Sequence, residues 1–63
     1  MTEKQKGKLA NDAADRFYEL LKQKQWVKVF IFRGFAVTVE RQPACFALGI
    51  YTRDGDYVTN IAA

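Results

Sequence analysis

The sequence predicts an α+β domain in which one N-terminal amphipathic helix packs on a four-stranded antiparallel β-meander (α-β-β-β-β), giving two layers. Two observations lead to this prediction. Apolar residues recur at helical spacing in the first third of the 63-residue chain, and three short turn signals separate four β-rich segments in the remainder. The turn signals are Arg33-Gly34, Gln42-Pro43 and Asp54-Gly55. We therefore predict a single domain over residues 1–63.

Length and composition limit what this domain can be. A chain of this size buries roughly 60% of its unfolded surface, which is near the lower limit for independent stability, so association into a homodimer is expected. Hydrophobic residues make up 49% of the chain and charged residues 27%, as in ordinary globular proteins. The longest apolar run, Ala44 to Tyr51, is too short for a membrane span, and the polar start does not resemble a signal peptide.

The chemistry-bearing residues do not predict an enzyme. The chain has one cysteine, Cys45, no histidine and no serine. A single cysteine cannot form an internal disulfide, and no histidine is present to bind zinc or to shuttle protons near neutral pH. Glu40, Asp54 and Asp56 are too scattered for a calcium loop. We expect a non-enzymatic cytoplasmic protein with no cofactor and no metal site.

The helix prediction rests on residues 9–21. At about 100° per residue, the apolar side chains of this segment fall within an arc of roughly 140°, and charged side chains take the opposite side. On that side Asp12 and Arg16 have the spacing of an ion pair. Lys24 would fall in the middle of the apolar arc, so the helix should end by residues 23–25.

Two starting points for the helix remain open. Thr2 and Gln5 have the spacing of a capping box, which predicts an early start. The lysines that follow favour a start at Lys8 or Leu9, after a frayed basic lead over residues 1–8. We prefer the later start.

The three turns place four strands in one register. Each is treated as a two-residue reversal, and Asp54-Gly55 is the strongest hairpin signal of the three. The predicted pairs are Phe32 with Phe35 across the first turn, Val37 with Leu48 across the second, and Ile50 with Thr59 and Thr52 with Tyr57 across the third. All three turns assign the same residues to one face, and a one-residue slip at any of them would break that agreement.

This register gives the sheet two faces, both largely apolar. The aromatic face carries Trp26, Lys28, Phe30, Phe32, Phe35, Val37, Val39, Phe46, Leu48, Ile50, Tyr57, Thr59 and Ile61. The flat face carries Val27, Val29, Ile31, Ala36, Thr38, Glu40, Cys45, Ala47, Gly49, Tyr51, Val58 and Asn60. The small residues of the flat face would let an alanine-rich helix approach closely. Exposing the aromatic face would cost more, at about 25 cal/mol per Å² of apolar surface, so we predict that the helix covers it.

One functional hypothesis is nucleic-acid binding, with single strands favoured. The formal net charge of +3 is concentrated in clusters of lysine and arginine. Such cations release counterions from phosphates, and an exposed aromatic ring stacks on an unpaired base at about 1–3 kcal/mol. The predicted basic-aromatic surface consists of Lys22, Lys24, Trp26, Lys28, Arg33 and Arg53.

The competing hypothesis is a protein interaction module or inhibitor that docks through an exposed apolar sheet face or edge strand. An open meander has two edges, here Trp26 to Phe32 and Tyr57 to Ile61. Pairing of the first edge with its own copy would give a symmetric dimer with an eight-stranded sheet. The predicted interface residues for a dimer or another protein partner are Val27, Val29, Ile31 and Tyr51.

Overall fold

A computed structural model describes residues 1–63 and has the predicted α+β architecture. Its elements are helix α1 (Glu3–Lys22) and strands β1 (Val29–Phe32), β2 (Phe35–Arg41), β3 (Phe46–Tyr51) and β4 (Tyr57–Ala62). The strands form one antiparallel sheet in the order β1-β2-β3-β4, which confirms the meander. The first strand is shorter than predicted, because its regular part begins at Val29 and not at Trp26. No helix has the length and apolar character needed to cross a membrane.

The helix begins with a capping box. The Thr2 hydroxyl accepts a hydrogen bond from the backbone N–H of Gln5 (3.1 Å), and the Gln5 side-chain oxygen accepts one from the backbone N–H of Thr2 (2.9 Å). These contacts satisfy donors that a helix otherwise leaves free, so α1 starts at Glu3. The predicted start near Lys8, after a frayed lead over residues 1–8, is wrong.

The helix ends at Lys22, close to the predicted end, in a Schellman motif. The backbone N–H of Gln25 donates to the carbonyl of Leu20, and that of Lys24 donates to the carbonyl of Leu21, both at 2.9 Å. Lys24 adopts a φ of 58°, the left-handed conformation that this motif requires and that glycine most often supplies. A lysine therefore occupies a backbone position that suits glycine better.

The first hairpin pairs as predicted, and the second is shifted by two residues. Phe32 lies opposite Phe35. Between β2 and β3 the chain forms a loop over residues 42–45, so the predicted two-residue turn is wrong and Val37 lies opposite Ile50. A shift of two residues preserves the alternation of side chains, and the residues of β2 and β3 keep their predicted faces.

A β-bulge between β3 and β4 changes the faces of two residues. The predicted pairing holds from Leu48 to Ile50, but Tyr51 lies opposite Tyr57, which leaves Val58 as an extra residue. Tyr57 was predicted on the aromatic face, yet its ring lies beside that of Tyr51, with 5.8 Å between centroids. Val58 was predicted on the flat face, yet it packs against the core. Both assignments are wrong.

The helix packs on the aromatic face, as predicted, and lies mainly over β3 and β4. Phe17 is fully buried, and its ring contacts those of Phe46 and Phe30 at centroid distances of 5.0 and 6.5 Å. Val27 also packs against this core, so its predicted place on the flat face is wrong. It precedes the regular strand, where alternation does not apply. The buried residues are Leu9, Ala10, Ala13, Ala14, Phe17, Leu20, Val37, Leu48 and Ile50.

An ion pair joins the first hairpin turn to the helix. A solvent-shielded Asp12 oxygen lies 2.8 Å from the Arg33 guanidinium and 3.5 Å from the Lys8 ammonium. The predicted pair of Asp12 with Arg16 is not formed, because Arg16 contacts Glu19 instead. Burial alone would raise the pKa of Asp12, but the adjacent Arg33 guanidinium and the charge of Lys8 outweigh it, so this pKa lies below its ordinary value.

Asp12→Asn is expected to lower the melting temperature at neutral pH and to lower it less at acidic pH. A carboxyl whose pKa is lowered by folding stabilises the folded state above its unfolded pKa, about 4, and this contribution is lost as pH falls through the folded pKa. Circular dichroism melts at about pH 7 and about pH 2 measure the difference. Asp15→Asn, at an exposed carboxyl without an ion pair, is the control. An Asp12 effect of equal size at both pH values would contradict this role.

Candidate nucleic-acid interface

The structure separates the six residues of the predicted basic-aromatic surface into two groups. Lys22, Lys24, Trp26 and Lys28 lie together, between the end of α1 and the start of β1. Arg33 and Arg53 occupy the β1–β2 and β3–β4 turns, at the other end of the strands. Arg33 follows Lys28 by five positions, a separation of roughly 16 Å along an extended chain. The six residues therefore do not form one site.

The two arginines are also less suited to binding phosphate. Arg33 forms the ion pair with Asp12 and lies over the Phe32 ring, 4.9 Å from its centroid. Arg53 makes no ion pair, but it shares its turn with Asp54 and Asp56. The positive potential at this end is offset by nearby carboxylates.

At the end of the sheet that carries Lys22, Lys24, Trp26 and Lys28, the structure adds a further cation, Arg41, that the sequence did not indicate. The backbone N–H of Val39 donates to the carbonyl of Lys28 (2.8 Å), so the β1–β2 register extends past the regular strand. Arg41 pairs with Phe46 in the β2–β3 ladder, and the Phe46 ring lies 5.8 Å from that of Trp26, so Arg41 lies at the same end of the sheet as Trp26. The predicted basic-aromatic surface did not include Arg41. We define the basic end as Lys22, Lys24, Trp26, Lys28 and Arg41.

The cations of the basic end are free of carboxylate partners. None of the four takes part in an ion pair within 4 Å. The nearest acid along the helix, Glu19, contacts Arg16 at 3.0 Å. Lys22, Lys24, Lys28 and Arg41 are all exposed. Their charges are therefore available to an anionic partner.

Trp26 is held by the core on one side and open on the other. Its ring contacts Phe46 at a centroid distance of 5.8 Å and Phe17 at 6.3 Å, yet 49% of the residue is exposed. Phe46 also lines a cleft of about 270 Å³, together with Tyr18, Arg41, Gln42, Pro43, Ala44, Cys45 and Ala63. The ring contacts hold one side of the indole, and the exposed half remains open to solvent.

The two strained backbone positions are both occupied by positively charged residues. Lys24 and Arg33 are the only residues other than glycine with positive φ, at 58° and 51°. Each such residue costs of order 1–2 kcal/mol relative to an ordinary conformation. At Arg33 the side chain forms the ion pair to the helix. At Lys24 the structure contains no intramolecular ion pair that would offset the strain.

The flat face is a second candidate surface. Val29 and Ile31 are 56% and 58% exposed, and Tyr57 is 60% exposed beside the half-buried Tyr51. A depression of about 180 Å³ runs across this face, lined by Thr38, Glu40, Ala47, Leu48, Gly49, Tyr51, Tyr57 and Asn60. Of the four predicted interface residues, Val27 is the one that packs against the core and is removed from this surface.

Buried polar residues and metal-binding clusters are both absent from the structure. No polar or charged residue is buried, and no group of three or more cysteine, aspartate or glutamate side chains could hold a metal ion. Comparison with models of known protein families, with curated proteins and with solved structures finds no match to this chain. Function is therefore inferred from the geometry of the basic end and the flat face.

Lys24→Gly is expected to raise the free energy of unfolding by about 1 kcal/mol, because glycine adopts positive φ without steric cost. Urea denaturation followed by circular dichroism measures the change. Lys24→Ala is the matched control, since it removes the same charge but keeps a Cβ atom at the strained position. Equal stability of the glycine and alanine variants would show that backbone strain at Lys24 is negligible.

Proposed function

We propose that the protein is a small, non-enzymatic, cytoplasmic nucleic-acid-binding protein that holds single strands at the basic end. The observation that supports this most directly is the grouping of four exposed cations, none in an ion pair, around a half-exposed tryptophan. Cations that form no ion pair favour phosphate, and an anchored indole favours a base. The two kinds of contact that single-strand binding needs are thus adjacent.

The lysines and Arg41 would supply most of the affinity. Each phosphate that they neutralise releases condensed counterions, and for single strands the logarithm of the binding constant falls by about 0.7 per phosphate for each tenfold rise in salt. Four contacts would therefore give a slope near −3. Such binding is strong at low salt and weakens steeply towards physiological salt.

Trp26 would supply the preference for unpaired bases. Its ring is fixed against Phe17 and Phe46, so a base that stacks on the open side does not have to order it. In a duplex the faces of the bases are already stacked on one another, whereas single strands present them. The exposed half of the residue gives the stacked base its contact surface.

The chain offers its own probe for this contact. Trp26 is the only tryptophan. Titration with oligo-dT should change its fluorescence at about 50 mM salt and require a much higher oligonucleotide concentration at about 200 mM. Binding without a change in Trp26 emission would mean that the base does not stack there.

A second candidate function, docking on a protein partner as a small regulator or inhibitor, is favoured by a different observation. Val29 and Ile31 place apolar side chains in solvent on a face that the helix leaves uncovered. Contacts of this kind change little with salt, because screening acts on charges. Salt dependence therefore distinguishes this function from nucleic-acid binding.

Lys22→Glu combined with Lys24→Glu is expected to weaken oligo-dT binding and to reduce the magnitude of the salt slope by about 1.4, from the loss of two phosphate contacts. Fluorescence titrations at several salt concentrations measure both effects. The matched control is Lys4→Glu with Lys6→Glu, which changes the net charge equally at the far end of α1. Equal losses in the two double variants would assign the effect to net charge, and unchanged affinity in the first would remove the basic end as the site.

A further inference from the structure

Strand β1 has an unpaired edge. It pairs with β2 alone. The hydrogen bond from Val39 to the Lys28 carbonyl shows that Lys28 directs its backbone groups towards β2. This direction alternates along an antiparallel strand, so the even-numbered residues of β1 bond to β2, whereas Val29 and Ile31 direct their N–H and C=O groups outwards. Two donors and two acceptors are left on the free edge.

The side chains of β1 are apolar on both faces. Val29 and Ile31 are exposed on the flat face, and Phe30 and Phe32 are only half-buried on the aromatic face, because α1 lies mainly over β3 and β4. No charged residue lies within Val29–Phe32. Exposed edge strands in monomeric proteins are ordinarily protected by charge, proline, a bulge, a covering element or very short length, and of these β1 has only its length of four residues. The other edge strand, β4, has both the bulge and the helix above it.

We propose that β1 pairs antiparallel with β1 of a second copy, across a two-fold axis that passes beside Phe30. Val29 of one copy then lies opposite the partner's Ile31, and each of these pairs exchanges two backbone hydrogen bonds, about four in all. The pairing joins two four-stranded sheets into one of eight strands. The two helices lie on the same side of that sheet, and Phe30 meets the partner's Phe30 between them.

The charges near β1 permit this pairing. In this register Lys28 lies opposite the partner's Phe32, and the two Lys28 positions are roughly 13 Å apart along the strands, so like charges do not meet. Arg33 already forms an ion pair with Asp12. Across a two-fold axis beside Phe30, the outward N–H and C=O groups of Val29 face those of the partner's Ile31, and the reverse also holds. A two-fold interface requires this reciprocal match.

The exposed surface is also consistent with a missing neighbour. The chain exposes 4500 Å², whereas a folded monomer of 7.2 kDa exposes roughly 4,100 Å². The excess, about 400 Å², is about half of what a standard interface removes from each partner. The backbone groups that form the pairing belong to Val29 and Ile31, which lie outside the basic end, so pairing and nucleic-acid binding can be tested separately.

Sedimentation equilibrium at about 10–100 μM protein should give twice the 7.2 kDa mass of the chain. Ile31→Lys should give the monomer mass with an unchanged circular dichroism spectrum, because it places a charge in the pairing edge. Asn60→Lys, at an exposed position of β4, is the matched control and should remain dimeric. A monomeric parent protein, or a dimer that Ile31→Lys leaves intact, would overturn the proposal.

A cross-linking experiment tests the register itself. Val29→Cys and Ile31→Cys are prepared separately in a Cys45→Ala background, mixed and oxidised. Both positions are exposed, so folding tolerates the changes. The mixed disulfide should exceed either homodimeric disulfide several-fold, because directly opposite Cβ atoms lie about 5 Å apart and diagonal ones about 7–8 Å. A dimer that forms no such excess would place the contact elsewhere, such as between two flat faces, and would refute β1 pairing.

Discussion

The contact of Phe17 with the rings of Phe30 and Phe46 holds the helix on the sheet, and the two exposed surfaces follow from it. The centroid distances are 6.5 and 5.0 Å, and Phe17 has no exposure to solvent. A domain of this length has one helix with which to cover a sheet that is apolar on both sides. Because Phe17 packs that helix against the aromatic face, the flat face and the β1 edge remain exposed to solvent.

The same ring brings the basic end together. Trp26 packs against Phe17 and Phe46, which draws the segment after the helix onto the core. The Schellman motif fixes the start of that segment, and the hydrogen bond between Val39 and Lys28 fixes its end. Lysine side chains carried by a fixed backbone lose less conformational entropy when they bind phosphate than those on a mobile tail. Local hydrogen bonding would thus contribute to the proposed function without any contact to the ligand.

Sequence patterns predicted the layers of this fold better than its irregular points. The faces of β2 and β3 were correct although their register was shifted by two residues, because side-chain alternation has a period of two. The predictions failed where alternation is interrupted: at the bulge that moves Tyr57 and Val58, and at Val27 before the regular strand. They also failed at the helix start, where two reciprocal hydrogen bonds at Thr2 decided between alternatives that spacing alone left open.

The candidate site was predicted in part. Proximity in sequence was enough to group Lys22, Lys24, Trp26 and Lys28, since all four lie in one connecting segment. Proximity in sequence did not indicate that Arg41 lies at the same end of the sheet, or that Arg33 lies at the opposite end and pairs with Asp12. The ion pair of Arg33 with Asp12 joins residues 21 positions apart, a distance over which helical periodicity gives no guidance.

The position of Lys28 also bears on the aggregation of the chain before it folds. From Val27 to Phe32 the segment is rich in β-branched and aromatic residues, and Lys28 is its only charge. Segments of this composition stack into fibrils when they are exposed and uncharged. A charge inside such a segment acts as a gatekeeper, because stacked copies would bring identical cations within about 5 Å of one another. One ammonium group would thus serve the folded protein as a phosphate ligand and the nascent chain as protection against aggregation.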